Sequence, residues 1–81
     1  MLTFSLLKKE GITSILEQLQ QEAGDNFRCF DCGSFVHIDI EGASGYLTSL
    51  VGSCPLIFRL KINDQFKIEI PSDFIDAVYV M

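Results

Sequence analysis

The sequence predicts an α+β domain: an N-terminal helix followed by about five antiparallel strands, curled into a small barrel. Three observations predict it. Residues 56–70 alternate with period two, Leu56, Phe58, Leu60 and Ile62 against Ile57, Arg59 and Lys61, then Phe66, Ile68 and Ile70 against Lys67 and Glu69. Such alternation buries one face of a strand and leaves the other to solvent. Asn63-Asp64 sits between the two runs, and both residues tolerate the positive φ of a tight hairpin turn. From Ile12 the period changes: Ile12, Ile15, Leu16, Leu19 and Ala23 share one helical face and Glu17, Gln18, Gln20, Gln21 and Glu22 the other. A twisted sheet of this size tends to curl until its open edges disappear. A flatter sheet packed on the helix is the alternative arrangement.

Residues 1–7 are apolar and fit either an extra helical turn or a short edge strand. Gly11 marks a break before the helix. Ser14 with Glu17 has the spacing of a capping box, and Thr13 is an equivalent cap. Gly24 followed by Asp25-Asn26 is a helix stop. The helix reads as a lid on the sheet or, more sharply, as a partner-binding helix. Residues 27–30 suit a short strand and residues 35–41 a longer one, with Val36, Ile38 and Ile40 on one side and Phe35, His37, Asp39 and Glu41 on the other. Residues 42–45, Gly-Ala-Ser-Gly, read as a turn. Residues 46–51 form the next strand, closed by Gly52-Ser53, and Pro55 fits the first position of the following one. Pro71-Ser72-Asp73 ends the long hairpin, and residues 77–81 form a last short strand. Consecutive strands are expected side by side.

Eighty-one residues make one domain, 1–81, with a small core. Hydrophobic residues make up 48%, enough for globular order, and the net charge of −5 disfavours phosphate backbones and anionic membranes. No apolar run is long enough to cross a bilayer. Lys8, Lys9 and Glu10 interrupt the first apolar stretch where a signal peptide would need its core, so a cytoplasmic location is the expectation. Three cysteines, an odd number, are expected to stay reduced there.

Cys29-Phe30-Asp31-Cys32-Gly33 with His37 resembles the first part of a retroviral-type zinc knuckle, in which two thiolates on a tight turn and an imidazole hold three corners of a tetrahedron. The position of the family's fourth ligand is Gly42, and Cys54 is the thiolate left to supply it. The other readings are that Cys29, Cys32 and Cys54 are small buried hydrophobes, or that the C-x-x-C is a redox pair. The redox reading lacks the helix start that lowers a thiol pKa.

Gly45-x-Leu47-x-x-Leu50 and Ile70-Pro71-Ser72-Asp73-Phe74-Ile75 resemble the two motifs of the Sm-like family of small barrels, which are built on an SH3-like layout. The resemblance covers most of residues 36–81. It implies a ring assembled by strand pairing between subunits, with RNA near the pore. Where the family has its base-contacting Asp and Asn, this chain has Val51 and Pro55, and Pro71-Ser72 replaces an Arg-Gly. A nucleic-acid face, if present, would use Arg59, Lys61 and Lys67 on the outward side of the hairpin, with Tyr46 or Phe35.

His37 is the only histidine. It shares a strand face with Asp39, so the two can touch, but no serine has the context of a nucleophile. A chain this short has little room for a substrate cleft. The expectation is a small non-enzymatic interaction module that self-associates or binds a protein partner. An RNA binder or a zinc-stabilised domain is the alternative.

Overall fold

A computed structural model describes residues 1–49 and 56–80. Among these residues one helix and seven strands form two antiparallel sheets. The strands are β1 (Leu2–Leu7), β2 (Phe27–Asp31), β3 (Phe35–Ile40), β4 (Ala43–Ser49), β5 (Leu56–Ile62), β6 (Gln65–Pro71) and β7 (Ile75–Val80), with helix α1 (Ile12–Ala23) between β1 and β2. The first sheet has the order β2-β3-β1-β7 and the second β4-β5-β6.

The hairpin of β5 and β6 forms where the alternation places it. Asn63 and Asp64 both adopt positive φ, 52° and 64°, the requirement of a type I′ turn. Phe58, Leu60, Ile62, Ile68 and Ile70 are buried along one face. Leu60 pairs with Ile68 and Lys61 with Phe66, so Lys67 is the extra residue of a bulge. The side chains of Phe66 and Lys67 lie outside the described residues, as do Leu50, Val51, Gly52, Ser53, Cys54, Pro55 and Met81.

Helix α1 buries Ile15, Leu19 and Ala23, with Ile12 and Leu16 half-buried beside them. It packs against β6 and β2, across the open side of the two sheets. Gly24, at φ 57°, stops the helix, and its N–H donates to the Gln20 carbonyl. The capping expectation is corrected at the other end: Gly11 is the N-cap and no side chain caps there, since the chain turns into the helix two residues before Thr13.

The larger corrections concern the first sheet. Residues 1–7 supply β1, and it is neither helical nor an edge: it lies between β3 and β7. Leu2, Phe4 and Leu6 pair with Ile40, Ile38 and Val36 and are fully buried. Among the described residues there are seven strands, not about five, and one of them precedes the helix. The expected turn at residues 42–45 is shorter, because β4 begins at Ala43. β3 and β4 are consecutive yet belong to different sheets. Among the described residues no ladder joins the two sheets, so they stack face to face instead of closing into a barrel.

Phe4 of the first sheet meets Phe58 of the second edge-to-face, ring centroids 5.3 Å apart. Gly45 admits that ring: a Cβ there would collide with the Phe58 ring and lie 3.0 Å from Leu2 Cδ1. One hydrophobic cluster therefore joins both sheets and the helix.

Candidate functional site

The inner face of the first sheet is spent on the core. Its outer face is covered by no other described element. Residues opposite each other in an antiparallel ladder share a face, so the outer face follows from the register: Phe30 beside His37, His37 beside Ser5, Ser5 beside Ala77, with Arg28-Asp39-Thr3-Val80 as the next row.

β7 departs from simple alternation twice. The register to β1 skips one residue between Val80 and Val78 and another between Ala77 and Ile75. The extra residues are Tyr79 and Asp76, and bulges of this kind re-aim side chains. Both reach the outer face. The Tyr79 ring lies 5.8 Å from the His37 ring, and Phe30 lies 6.1 Å from His37 on its other side. His37 and Tyr79 come from strands flanking β1 and meet above the small side chain of Ser5. Ser5 is fully buried as a result, although it sits on the outer face. Its hydroxyl donates to Asp76 Oδ2 at 3.0 Å. His37 Nε2 lies 3.1 Å from Asp39 Oδ1, and an ionised carboxylate only accepts, so that nitrogen carries the proton.

Serine, histidine and two aspartates are thus neighbours without forming a nucleophile relay. The Ser5 hydroxyl is turned to Asp76, His37 is turned to Asp39, and Ser5 has no solvent-facing surface. The face instead offers apolar area: Phe30, Tyr79 and Val80 are half-exposed or more, and Leu7 adds to them.

The candidate metal ligands do not converge. Cys29 pairs with Ile38 and so points to the core side of the sheet, whereas His37 points to the outer side. The turn after β2 is built by Asp31, whose Oδ1 accepts from the Gly33 N–H at 3.0 Å, while the Cys32 N–H donates to the Phe35 carbonyl. Among the described residues no three His, Cys, Asp or Glu side chains are placed to hold a metal ion, and Cys54 lies outside them. Cys29 and Cys32 are exposed free thiols, which corrects the reading of both as buried hydrophobes. Partial burial, then the Asp31 carboxylate, pushes the Cys29 thiol up, the reverse of what a reactive redox pair needs.

The candidate cationic face lies on the outer side of the second sheet. Tyr46, Arg59 and Glu69 line up across β4, β5 and β6. Arg59 Nη2 is held by Glu69 Oε1 at 3.0 Å, so its charge is largely answered within the sheet. Lys61 follows along β5 opposite Ser44.

Sequence reasoning misses Ser5, Asp76 and Tyr79. The alternation of Leu2, Phe4 and Leu6 with Thr3 and Ser5 is a usable signal for β1, but nothing in the sequence marks the bulges of β7. It also misses a cavity of about 450 Å³ on the core side of β2 and β3, where Ile12 and Leu16 of the helix face Val36 and Cys29. Lys8, Lys9 and Asp31 stand at its rim.

Compared with known proteins, the chain matches no family model, no curated protein and no solved structure. Among the described residues no helix is long and apolar enough to cross a membrane.

Proposed function

We propose that the protein is a small non-enzymatic interaction module that binds protein, first of all a second copy of itself, through the outer face of the β2-β3-β1-β7 sheet. The observation that carries this reading is the row Phe30-His37-Tyr79, with Phe30 and Tyr79 half-exposed on either side of His37 on a sheet whose other face is core. Exposed aromatics around a satisfied polar centre are the composition of a docking surface.

The size of the face sets the kind of contact. At about 4.8 Å between strands and about 3.3 Å per residue, four strands of roughly six residues present about 400 Å² in plan. A standard interface takes about 800 Å² from each partner, so this face suits a transient contact, not a permanent dimer. The measurement is sedimentation velocity from micromolar to millimolar concentration. Reversible, concentration-dependent self-association that Phe30→Asp and Tyr79→Asp abolish is the expected result. A strict monomer across that range, or association that both variants leave intact, overturns the reading.

An RNA-binding function of the Sm-like kind draws less support. Arg59 is engaged by Glu69, and Gly45 has a sufficient role in admitting the Phe58 ring. A gel-shift series over salt with short RNA tests it, since phosphate binding weakens steeply as salt rises.

A further inference from the structure

We propose that the cavity between α1 and the β2–β3 hairpin binds an amphipathic carboxylate, an alkyl chain with an anionic head. Its volume of about 450 Å³ falls inside the roughly 300–1,000 Å³ range of small-molecule sites, and it is an open groove, with Lys8, Lys9, Cys29 and Asp31 exposed along it. Its floor is apolar: Ile12 and Leu16 from the helix, Val36 from β3, and the neutral thiol of Cys29. The chain of the ligand would lie there. This site is independent of the docking face, because Val36 and Cys29 point to the opposite side of the sheet from His37 and Phe30.

The rim decides the sign of the head. Two ammonium groups, Lys8 and Lys9, line the cavity against one carboxylate, Asp31, in a chain whose net charge is −5. Asp73, which accepts from Lys9 Nζ at 2.7 Å, is not part of the lining. Lys8 Nζ stands 2.6 Å from Asp31 Oδ1, and Lys9 Nζ also sits 4.6 Å from the centre of the Phe74 ring. An ammonium has three N–H donors, so each lysine can add a carboxylate without giving up its aspartate. Both aspartates are largely exposed, and exposed pairs exchange at little cost.

Isothermal titration of the full chain with decanoate, decanol and decyltrimethylammonium tests the proposal. Decanoate is expected to bind about tenfold more tightly than decanol, the margin of one charge-assisted head contact. The ammonium ligand is expected not to bind. Asp31→Asn should tighten decanoate several-fold by removing the competing carboxylate, and the exposed double change Lys8→Met with Lys9→Met should erase the advantage over decanol. Location is read separately: in a Cys32→Ser, Cys54→Ser background, decanoate should slow alkylation of Cys29 several-fold. Failure of decanoate to bind, equal affinity for decanol, or unprotected Cys29 overturns the proposal.

Discussion

The two sheets contribute inner faces that read alike and outer faces that do not. Inside, Leu2, Phe4, Leu6, Val36 and Ile38 of the first sheet meet Phe58, Leu60, Ile62 and Ile70 of the second, and every one of them is buried. Outside, the second sheet carries Tyr46, Arg59 and Glu69 in a row, tied by an ion pair. The first carries Phe30, His37 and Tyr79 as neighbouring, tilted rings, with Phe30 and Tyr79 half-exposed and His37 partly buried between them. The second sheet answers the Arg59 charge on its outer face with Glu69 across the strand pair, although the buried Arg59 Nε finds no hydrogen-bond partner among the described residues. The first has satisfied only its polar groups, Ser5 with Asp76 and His37 with Asp39, and leaves its apolar area to a partner.

The comparison holds only if the inner faces form one core. Phe58→Ala is the largest test, because Phe58 is fully buried and contacts Phe4 across the interface. It should cost about 3–5 kcal/mol in urea unfolding; a loss under about 1 kcal/mol would mean that the sheets are held by something else. Gly45→Ala comes next, at about 1–3 kcal/mol, because the added methyl forces the Phe58 ring out of place. Phe58→Leu should recover part of that loss in the double variant, which a thermodynamic cycle reads directly.

The smaller effects separate the outer faces. Arg59→Ala, Glu69→Ala and the double variant should return a coupling of about 0.2–1 kcal/mol, since Glu69 is exposed and Arg59 partly so. None of the three should change self-association; if they do, the docking surface lies on the second sheet and not the first.

The smallest effect is at acid pH. The Lys8 ammonium bonded to Asp31 holds that carboxyl below its usual range, and Lys9 does the same to Asp73. A lowered folded pKa gives stability that is present above the unfolded value and lost as pH falls through the folded one. Asp31→Asn should therefore lower Tm slightly near neutrality, and the difference from the unsubstituted protein should vanish as pH falls below about 4, which flattens the acid fall of Tm. A steeper fall in the variant contradicts the assignment.

Several elements are legible in the amino-acid sequence. The hairpin of β5 and β6 needs only its alternation and the Asn63-Asp64 turn. Helix α1 needs only its stripe of Ile15, Leu19 and Ala23 and the stop at Gly24. The two faces of β3 are legible for the same reason. The candidate ligands Cys29, Cys32 and His37 show the limit: their spacing fits a zinc knuckle, but strand pairing sends Cys29 and His37 to opposite faces. Spacing along a chain is a distance only when the chain turns there, and residues 35–40 are extended.

Alternation by itself determined which side of β3 and β5 is buried, because in a regular strand a side chain's face depends only on its neighbours one and two residues away. Tertiary structure alone decided that β1 is central, that β3 and β4 part company, and that Asp76 and Tyr79 swing out at bulges to meet Ser5 and His37. Ser5 and Asp76 are separated by 71 positions in the chain. Which strands become neighbours at such separation is set by how one shared core closes with the fewest voids, and no local pattern records that.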